Sequence, residues 1–227
     1  LELSAGTNLI YGGNGSGKTS LLESVYILGA ARSYRGHTIE PLISRGQDEC
    51  LVRGVIESLP SRHTIGVQRR RGGEREIRVD GNDVKRATDL ANLLPTLVIG
   101  PDTVNLLLGP PGIRRRFLNW GLFHVEPSFT EVWGNANRCL RQRNELLRRH
   151  APADELGIWT RELVGYSEQL DKIRAAFSTE YGEIFLQNCM RMTELPDISF
   201  KYYRGWNHDQ QLLELYEKDD ESDRKRG

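Results

Sequence analysis

One stretch of this sequence carries the spacing of a phosphate-binding loop. Residues 12–19 read Gly-Gly-Asn-Gly-Ser-Gly-Lys-Thr, which fits the pattern G-x-x-x-x-G-K-S/T. The glycines allow the backbone to curl so that successive N–H groups point at phosphate oxygens. The lysine would reach the β- and γ-phosphates of a nucleotide, and the threonine hydroxyl would ligate Mg²⁺. We predict a nucleotide site made of Gly12, Gly13, Asn14, Gly15, Ser16, Gly17, Lys18, Thr19 and Ser20, with Thr19 as the metal ligand.

A strand before the loop and a helix after it would hold it in place. Residues 7–11 form a short apolar run that is typical of a buried strand. The segment after the loop has apolar residues at helical spacing: Leu21, Leu22, Val25, Ile27 and Leu28. A helix that begins at the loop also points the positive end of its dipole at a bound anion. A glycine-rich turn arising by chance would lack these flanks, so the context favours a phosphate site.

An antiparallel β meander is predicted after the first helix. Apolar residues in short alternating runs predict strands over residues 50–57, 63–68 and 76–80. The Asp80-Gly81 pair is typical of a tight hairpin turn between strands. A short helix over residues 87–94 and a further buried strand over residues 95–99 follow.

From residue 101 onward the sequence is mostly helical. Apolar residues between 156 and 177 alternate steps of three and four, which suits an antiparallel hairpin with the preceding helix. A plain core stripe and a true coiled coil explain this spacing equally well. The other predicted elements are helices over about 113–124 and 129–150, a strand over 198–203, a short helix over 210–217 and a charged tail over 218–227.

The composition is that of an ordinary soluble globular protein. Of the 227 residues, 38% are hydrophobic and 27% are charged, and the formal net charge is zero. Any binding of nucleic acid must therefore come from local basic patches. No apolar run is long enough to span a membrane, and the three cysteines lie far apart in the sequence. We expect a cytoplasmic protein without a membrane partner.

Four motifs occur in an order that resembles one family. They are the loop pattern over residues 12–23, Arg-Ser-Tyr-Arg over 32–35, P-x-x-x-x-L-L-x-G-x-P-x-x-R-R-x-F-L over 101–118 and Gln-Arg-Asn-Glu-Leu-Leu over 142–147. On these residues the sequence resembles the RecF family of bacterial DNA replication and repair proteins. Two positions depart from the family pattern: Pro110 stands where a small residue is usual, and Asn119 stands where Asp is usual.

The resemblance implies an α/β fold: a P-loop NTPase lobe of the ABC type with an inserted antiparallel β meander, followed by a mostly α-helical second domain with a long helical hairpin. Residues 1–100 would be the N-terminal part of the ATPase domain, and residues 101–227 the helical arm domain. The family's signature motif and Walker B strand are not found in this sequence. We therefore expect a fragment that lacks a short N-terminal piece and the C-terminal part of the ATPase domain.

The resemblance also implies ligands and partners. The cofactors would be ATP and Mg²⁺, and the protein would bind DNA, single-stranded or duplex at gaps, as an ATP-dependent homodimer. It would act with recombination mediator proteins to help load the recombinase at gaps, in recombinational repair and the SOS response. The full-length protein would be a slow DNA-stimulated ATPase. The fragment alone is predicted to be inactive, because the acids that activate water belong to the absent Walker B strand.

Two arginine clusters are the candidate DNA contacts. Arg69, Arg70 and Arg71 fall in a predicted turn of the meander. Arg138 and Arg141 would share one face of a long helix, away from its apolar residues. Phosphate contact requires only mobile surface charge, but the same arginines could equally serve as solvated surface residues.

Arg114, Arg115 and Arg116 are adjacent in a predicted helix, so they cannot all lie on one face. At least one should therefore face protein or ligand rather than bulk water.

Two other functions remain open from the residues alone. A P-loop can serve a small-molecule kinase or a transport ATPase, and a vestigial P-loop could sit in a pure interaction module. A kinase needs an acceptor pocket with paired acids and a lid, which the helical hairpin does not suggest. The intact Lys18 and Thr19 argue against a vestigial loop.

Overall fold

Two compact units make up the chain, Leu1–Val104 and Asn105–Gly227. The computed structural model describes residues 1–36, 40–58, 60–192, 197–207 and 209–226. Each unit has its own buried core, and each is described separately below.

The sheet of the first unit is the predicted meander. Its four strands are antiparallel and lie in the order β1-β2-β3-β4. They are β1 (Glu49–Ser58), β2 (Ser61–Arg70), β3 (Arg75–Val79) and β4 (Asn82–Asp83). Asp80 and Gly81 connect β3 to β4 with φ values of 51° and 81°. Two successive left-handed residues are what a two-residue hairpin turn requires, so the Asp-Gly prediction is confirmed.

Two helices cover the inner face of this sheet. They are α1 (Lys18–Ala30) and α2 (Ala87–Leu93). The core residues are aliphatic and come from both layers: Ile27, Leu28, Ala31, Ile65, Val67, Ile77 and Leu90. Gly54 of β1 lets α1 approach closely, because a Cβ there would lie 2.5 Å from the Leu28 Cδ1 atom. The lack of a side chain at Gly54 therefore sets how near the helix lies to the sheet.

Two predicted buried strands of the first unit are wrong. Residues 7–11 and 95–99 form no strand within the described part of the chain. Leu9 and Tyr11 are 83% and 86% exposed, and Ile99 is 79% exposed. An apolar run becomes a strand only when a neighbouring strand satisfies its backbone groups. The described sheet ends at β1 and β4, and neither pairs with these runs.

The second unit is helical, as predicted. After a 3₁₀ turn at Pro101–Val104 come α3 (Asn105–Leu108), α4 (Pro111–Val125), α5 (Phe129–Arg148), α6 (Ala153–Met192) and α7 (Leu212–Arg226). Along the described residues, none of these helices is both long and apolar enough to cross a membrane.

α5 and α6 form the predicted antiparallel hairpin. The predicted spacing on α6 is confirmed at its buried positions Leu156, Leu163 and Leu170. α6 has 40 residues, about five turns more than the spacing predicted. On α5 the buried residues are Phe129, Ala136, Cys139, Arg143, Leu146 and Leu147, whereas Trp133 and Leu140 are exposed.

The end of the chain differs from the prediction in two ways. Residues 198–203 are not a strand; instead alternate side chains of this extended segment, Phe200 and Tyr202, contact α6. Alternating apolar residues are therefore found in a segment that packs along a helix as well as in a strand. The predicted charged tail is helical, because α7 continues to Arg226.

Candidate nucleotide-binding site

The loop before α1 has the backbone geometry that its glycines allow. Gly12, Gly15 and Gly17 have φ values of 155°, 80° and 87°. These dihedrals are open to glycine and strained for other residues. A Cβ at Gly12 would also lie 2.9 Å from the Ser16 Oγ atom, so that the serine side chain would have to shift. The loop closes on itself where the Ser16 N–H donates to the Gly13 carbonyl at 3.3 Å.

The Lys18 ammonium lies inside this loop. Its Nζ donates to the Gly12 carbonyl at 2.8 Å and to the Gly13 carbonyl at 2.7 Å. A positive charge is thus held at the concave side of the glycine backbone.

The first turn of α1 offers further donors to an anion. Gly17 precedes the helix in a left-handed conformation, and its carbonyl accepts the Leu21 N–H at 2.9 Å. The N–H groups of Lys18, Thr19 and Ser20 therefore have no partner inside the helix. No acidic side chain occupies this turn. The helix dipole and the ammonium together favour a negatively charged ligand.

Thr19 is exposed beside the loop. It lies in the first turn of α1, whose N–H groups are the predicted donors to an anion. A hydroxyl, phosphate oxygens and water form a donor set that suits Mg²⁺, which keeps several waters and prefers oxygen ligands. Among the described residues, no group of three or more His, Cys, Asp or Glu side chains could hold a metal ion. The residues present therefore fit a magnesium ion that arrives with a polyphosphate.

Glu23, one helical turn after Thr19, has a role that the sequence analysis missed. Its carboxylate is buried, accepts a hydrogen bond from the Ser33 hydroxyl and lies 3.8 Å from Arg35 Nη1. Tyr34 packs edge-on against Tyr26 of α1. The Arg-Ser-Tyr-Arg segment is thus fixed to the helix that follows the loop. The signal was present in the sequence, because Glu23 falls among the apolar residues of α1.

The three adjacent arginines at the end of β2 are not equally available. The prediction that all three lie in a turn is wrong for Arg69 and Arg70, because both belong to β2. Arg70 pairs with the carboxylates of Glu49, Glu74 and Glu76 at 3.0–3.1 Å, and the hydrogen bonds to Glu74 and Glu49 raise the pKa of its guanidinium. Arg71 is exposed and donates from Nε to the Gln47 carbonyl at 2.9 Å. Arg69 is partly buried, with an Nε that has no partner. Arg71 is therefore the most accessible charge of the three.

The arginines of α5 divide into exposed and buried ones. Arg138 and Arg141 are exposed. Arg143 is buried, and its guanidinium donates to Asp223 of α7 at 2.9 Å and to Thr160 of α6 at 3.2 Å. It was missed because an arginine in a helix is normally a surface residue.

The three adjacent arginines of α4 also differ. Arg114 Nη1 donates to the carbonyls of Leu106, Leu107 and Gly109 at 3.3, 3.3 and 2.9 Å. It therefore satisfies carbonyl groups at the C-terminal end of α3. The prediction that one of the three faces protein is confirmed.

Asn119, where the resembled family has Asp, accepts a hydrogen bond from Arg174 Nη2 at 3.0 Å. The Arg174 guanidinium is largely buried, and this burial lowers its pKa. A neutral amide thus faces a buried cation at this position.

Fold and loop together define a P-loop NTPase lobe of the ABC type joined to a helical unit. The model of the RecF/RecN/SMC N-terminal domain matches residues 1–188. The chain therefore belongs to the RecF/RecN/SMC N-terminal domain family, which confirms the resemblance seen in the motifs.

Curated relatives carry the RecF name. The chain is 43% identical over 208 residues to the DNA replication and repair protein RecF of Pseudomonas fluorescens strain Pf0-1, covering 90% of this chain and 56% of the relative. It is 42% identical over 224 residues to the protein of that name from Stutzerimonas stutzeri strain A1501, covering 97% and 60%. The chain thus spans little more than half the length of these relatives.

The fold is also found in solved structures. A structure described as the recombination mediator protein RecF bound to ATPrS in the RecFOR pathway matches with a TM-score of 0.84 and 24% identity. The match covers 100% of this chain and 64% of that one. A second structure, of RecF with ATP, matches with a TM-score of 0.83. At this identity the likeness establishes the fold, and the predicted fold class is confirmed.

Proposed function

We propose that the chain binds ATP with Mg²⁺ through its glycine-rich loop. The observation that carries the proposal is the Lys18 ammonium held at the concave side of the loop, next to the unpartnered N–H groups of α1. The glycine backbone would surround the β-phosphate, and Lys18 would contact the β- and γ-phosphates. The proposed contacts are Gly12, Gly13, Asn14, Gly15, Ser16, Gly17, Lys18, Thr19 and Ser20.

Each residue would act by a distinct physical effect. Lys18 would leave the Gly12 and Gly13 carbonyls and offset the charge of the triphosphate. Thr19 would give its hydroxyl to Mg²⁺, and the ion would offset part of the negative charge of the triphosphate. Without a side chain at Gly12, the phosphate can approach the backbone closely.

The substitution Lys18→Ala tests this proposal. We expect ATP binding to weaken by about tenfold or more, because a charge-assisted contact to phosphate is lost. Lys85→Ala is the matched control, since Lys85 is an exposed lysine of the same unit. Binding of a fluorescent ATP analogue measures both variants. An affinity of Lys18→Ala within about twofold of the unmodified chain would refute the loop assignment.

Thr19→Ala separates the metal contact from phosphate binding. We expect the variant to keep part of its nucleotide affinity but to lose most of the dependence of binding on Mg²⁺. A titration with Mg²⁺ at fixed nucleotide measures this dependence. An unchanged titration would remove Thr19 from the metal role.

We further propose that the whole protein acts in DNA repair and replication in the cytoplasm, as the name of its curated relatives suggests. It would bind DNA as an ATP-dependent homodimer. It would act with recombination mediator proteins in loading the recombinase at gaps and in the SOS response. Sedimentation of the full-length protein, with and without ATP and duplex DNA, tests this proposal. A protein that stays monomeric with ATP and DNA together would contradict it.

DNA contact is proposed for Arg69, Arg70, Arg71, Arg138 and Arg141. Exposure supports Arg71, Arg138 and Arg141 more than it supports Arg70, whose charge is offset by three carboxylates. Each lost phosphate contact should lower the slope of log affinity against log salt by about 0.9 for duplex DNA. Salt titrations of DNA binding measure this slope for two variants, Arg71→Ala and the double variant Arg138→Ala/Arg141→Ala. Arg70→Ala is the comparison. An unchanged slope would exclude the altered cluster from the DNA path.

A further inference from the structure

The outer face of the β meander has an unusual composition for a solvent-exposed sheet surface. Leu51 and Val55 of β1 point away from the core and are 66% and 50% exposed. Arg53 lies between them on the same face, since side chains alternate along a strand. This face therefore presents two exposed aliphatic side chains on either side of a cation.

A row across three strands passes through the centre of this face. Arg53 of β1 lies opposite Gly66 of β2, which lies opposite Arg78 of β3. Gly66 has no heavy atom within 4 Å of the position that a Cβ would occupy. Neighbouring strands are about 4.8 Å apart, so the two arginine backbones are separated by roughly 10 Å. The row is a shallow hollow with a glycine floor and a guanidinium on each side.

Charge at the centre of the face is available for a ligand. Within the described part of the chain, no carboxylate lies within ion-pair distance of Arg53. Arg78 pairs with Asp83 at 3.0 Å, but both side chains are largely exposed to water. Water screens such a pair, so a ligand carboxylate can replace Asp83 at little cost.

Acidic side chains lie at both ends of β1 on this face. Glu49 pairs with Arg70 and accepts a hydrogen bond from Gln68, and Glu57 pairs with Arg62 at 3.3 Å. The order along the strand is therefore acid, aliphatic, cation, aliphatic, acid. A uniformly negative nucleic acid backbone would find only Arg53 and Arg78 available on this face, because Arg62 and Arg70 are paired with these glutamates. A short protein segment with one central acid can match every position.

We propose that this outer face, made of Leu51, Arg53, Val55, Gly66 and Arg78, docks an extended segment of a partner protein. The segment would carry an acidic side chain flanked by aliphatic ones, with basic residues beyond them. Its carboxylate lies over Gly66 between the two guanidinium groups, and its aliphatic side chains cover Leu51 and Val55. The surface is separate from the glycine-rich loop and does not depend on nucleotide binding.

A peptide titration followed by NMR tests the docking surface. The probe is a terminally blocked peptide in which Lys, Leu, Asp, Leu and Lys alternate with threonine. We expect saturable shifts of the backbone amides at Leu51, Arg53, Val55, Gly66 and Arg78. A second peptide with Lys in place of Asp should not bind. The absence of saturable shifts, or equal binding of both peptides, would overturn the proposal.

Three variants locate the contact. Arg53→Glu should weaken binding of the peptide by about tenfold or more, since it opposes like charges. Gly66→Val should also abolish binding, because a side chain fits the free sheet there and fills the hollow. Arg45→Ala, at an exposed arginine of the same unit that lies outside the sheet, is the control and should bind as the unmodified chain does. Loss of binding in this control would show that the row is not the site.

Two other occupants are distinguished in the same experiment. If duplex DNA shifts the same five amides and displaces the peptide, the face binds phosphates and the protein-segment proposal is wrong. If these amides shift when the chain is concentrated without peptide, the face contacts a second copy, which equally overturns it.

Discussion

Polar side chains are used differently in the two units. In the first unit the core is aliphatic, and Glu23 is its one buried charged or polar residue among those described. In the second unit Arg143, Thr160, Asp171 and Ser178 are buried. Burying a charge is unfavourable unless it is paired. Among the described residues, the first unit thus buries few polar groups, whereas in the second unit Arg143 and Asp171 hold segments of the chain together.

Two segments near the end of the second unit are attached to the hairpin by such polar contacts. α7 is attached to the hairpin by Arg143, whose guanidinium also lies 4.8 Å from the Tyr216 ring. The extended segment before α7 is attached by Asp171, which accepts hydrogen bonds from Tyr202 and Arg204 at 2.5–3.1 Å. Specific polar contacts thus place segments that hydrophobic burial alone would leave unspecified.

The largest expected effect is that of Arg143→Met. We expect the second unit to lose about 2–3 kcal/mol of unfolding free energy, because the buried Thr160 and the partly buried Asp223 lose their charged partner. Arg148→Met on the same helix is the control, since its pair with Glu145 is exposed and should contribute less than about 0.5 kcal/mol. Urea unfolding measures both. An equal loss of unfolding free energy in the two variants would contradict the proposed difference between the buried and the exposed arginines of α5.

A pH titration tests the Tyr202 contact. Burial, and then the hydrogen bond to Asp171, raises the pKa of Tyr202 from 10.0 to about 12. The folded state thus disfavours the phenolate, so this contribution is complete below pH 10 and is lost as the pH rises towards 12. We expect a loss of about 1–2 kcal/mol across that window. Tyr202→Phe should remove this loss, and Tyr203→Phe, at an exposed ring, should leave it intact.

The corresponding test in the first unit is Glu23→Gln. The amide still accepts from Ser33 but no longer attracts Arg35, so we expect a loss of about 1 kcal/mol. Hydrogen exchange of the amides at residues 33–36 should become faster. Ser33→Ala in the same background separates the hydrogen bond from the charge. Unchanged exchange in both variants would mean that Glu23 does not hold the segment.

The smallest expected effect is a gain in the stability of the folded second unit. Asn119→Asp places a carboxylate against the buried Arg174 guanidinium, and we expect a stabilisation of about 0.5–1 kcal/mol at neutral pH. The aspartate would have a lowered pKa in the folded state. The gain should therefore be present above pH ~4 and disappear as the pH falls further. Asn119→Ala is the control and should be destabilising. A destabilised Asn119→Asp would show that desolvation of the new charge outweighs the pairing.

The sequence predicted those features whose structure depends on residues that are close together in the chain. Asp80-Gly81 prescribes its turn through the dihedrals of two residues, and the spacing of Leu156, Leu163 and Leu170 prescribes a helical face. The glycine-rich loop was predicted for the same reason, because its form depends on a few adjacent residues.

Features that need a distant partner were not predicted. Residues 7–11 and 198–203 have the composition of strands, but strand formation depends on a neighbouring strand. Arg143 is buried only because Asp223, eighty residues away, reaches it. Nothing in the sequence around an arginine reveals such a partner. For Glu23 the surrounding apolar residues of α1 signal its burial, but not its pairing with Ser33.

The length of α6 has a mechanical consequence. Forty residues at 1.5 Å each give a rod about 60 Å long, and α5, at 20 residues, can accompany only half of it. A tilt of about 5° at one end of such a rod displaces the other end by roughly 5 Å. A pair of spin labels, one near the C-terminal end of α6 and one on α5, would therefore record small rearrangements of the hairpin as large changes in distance.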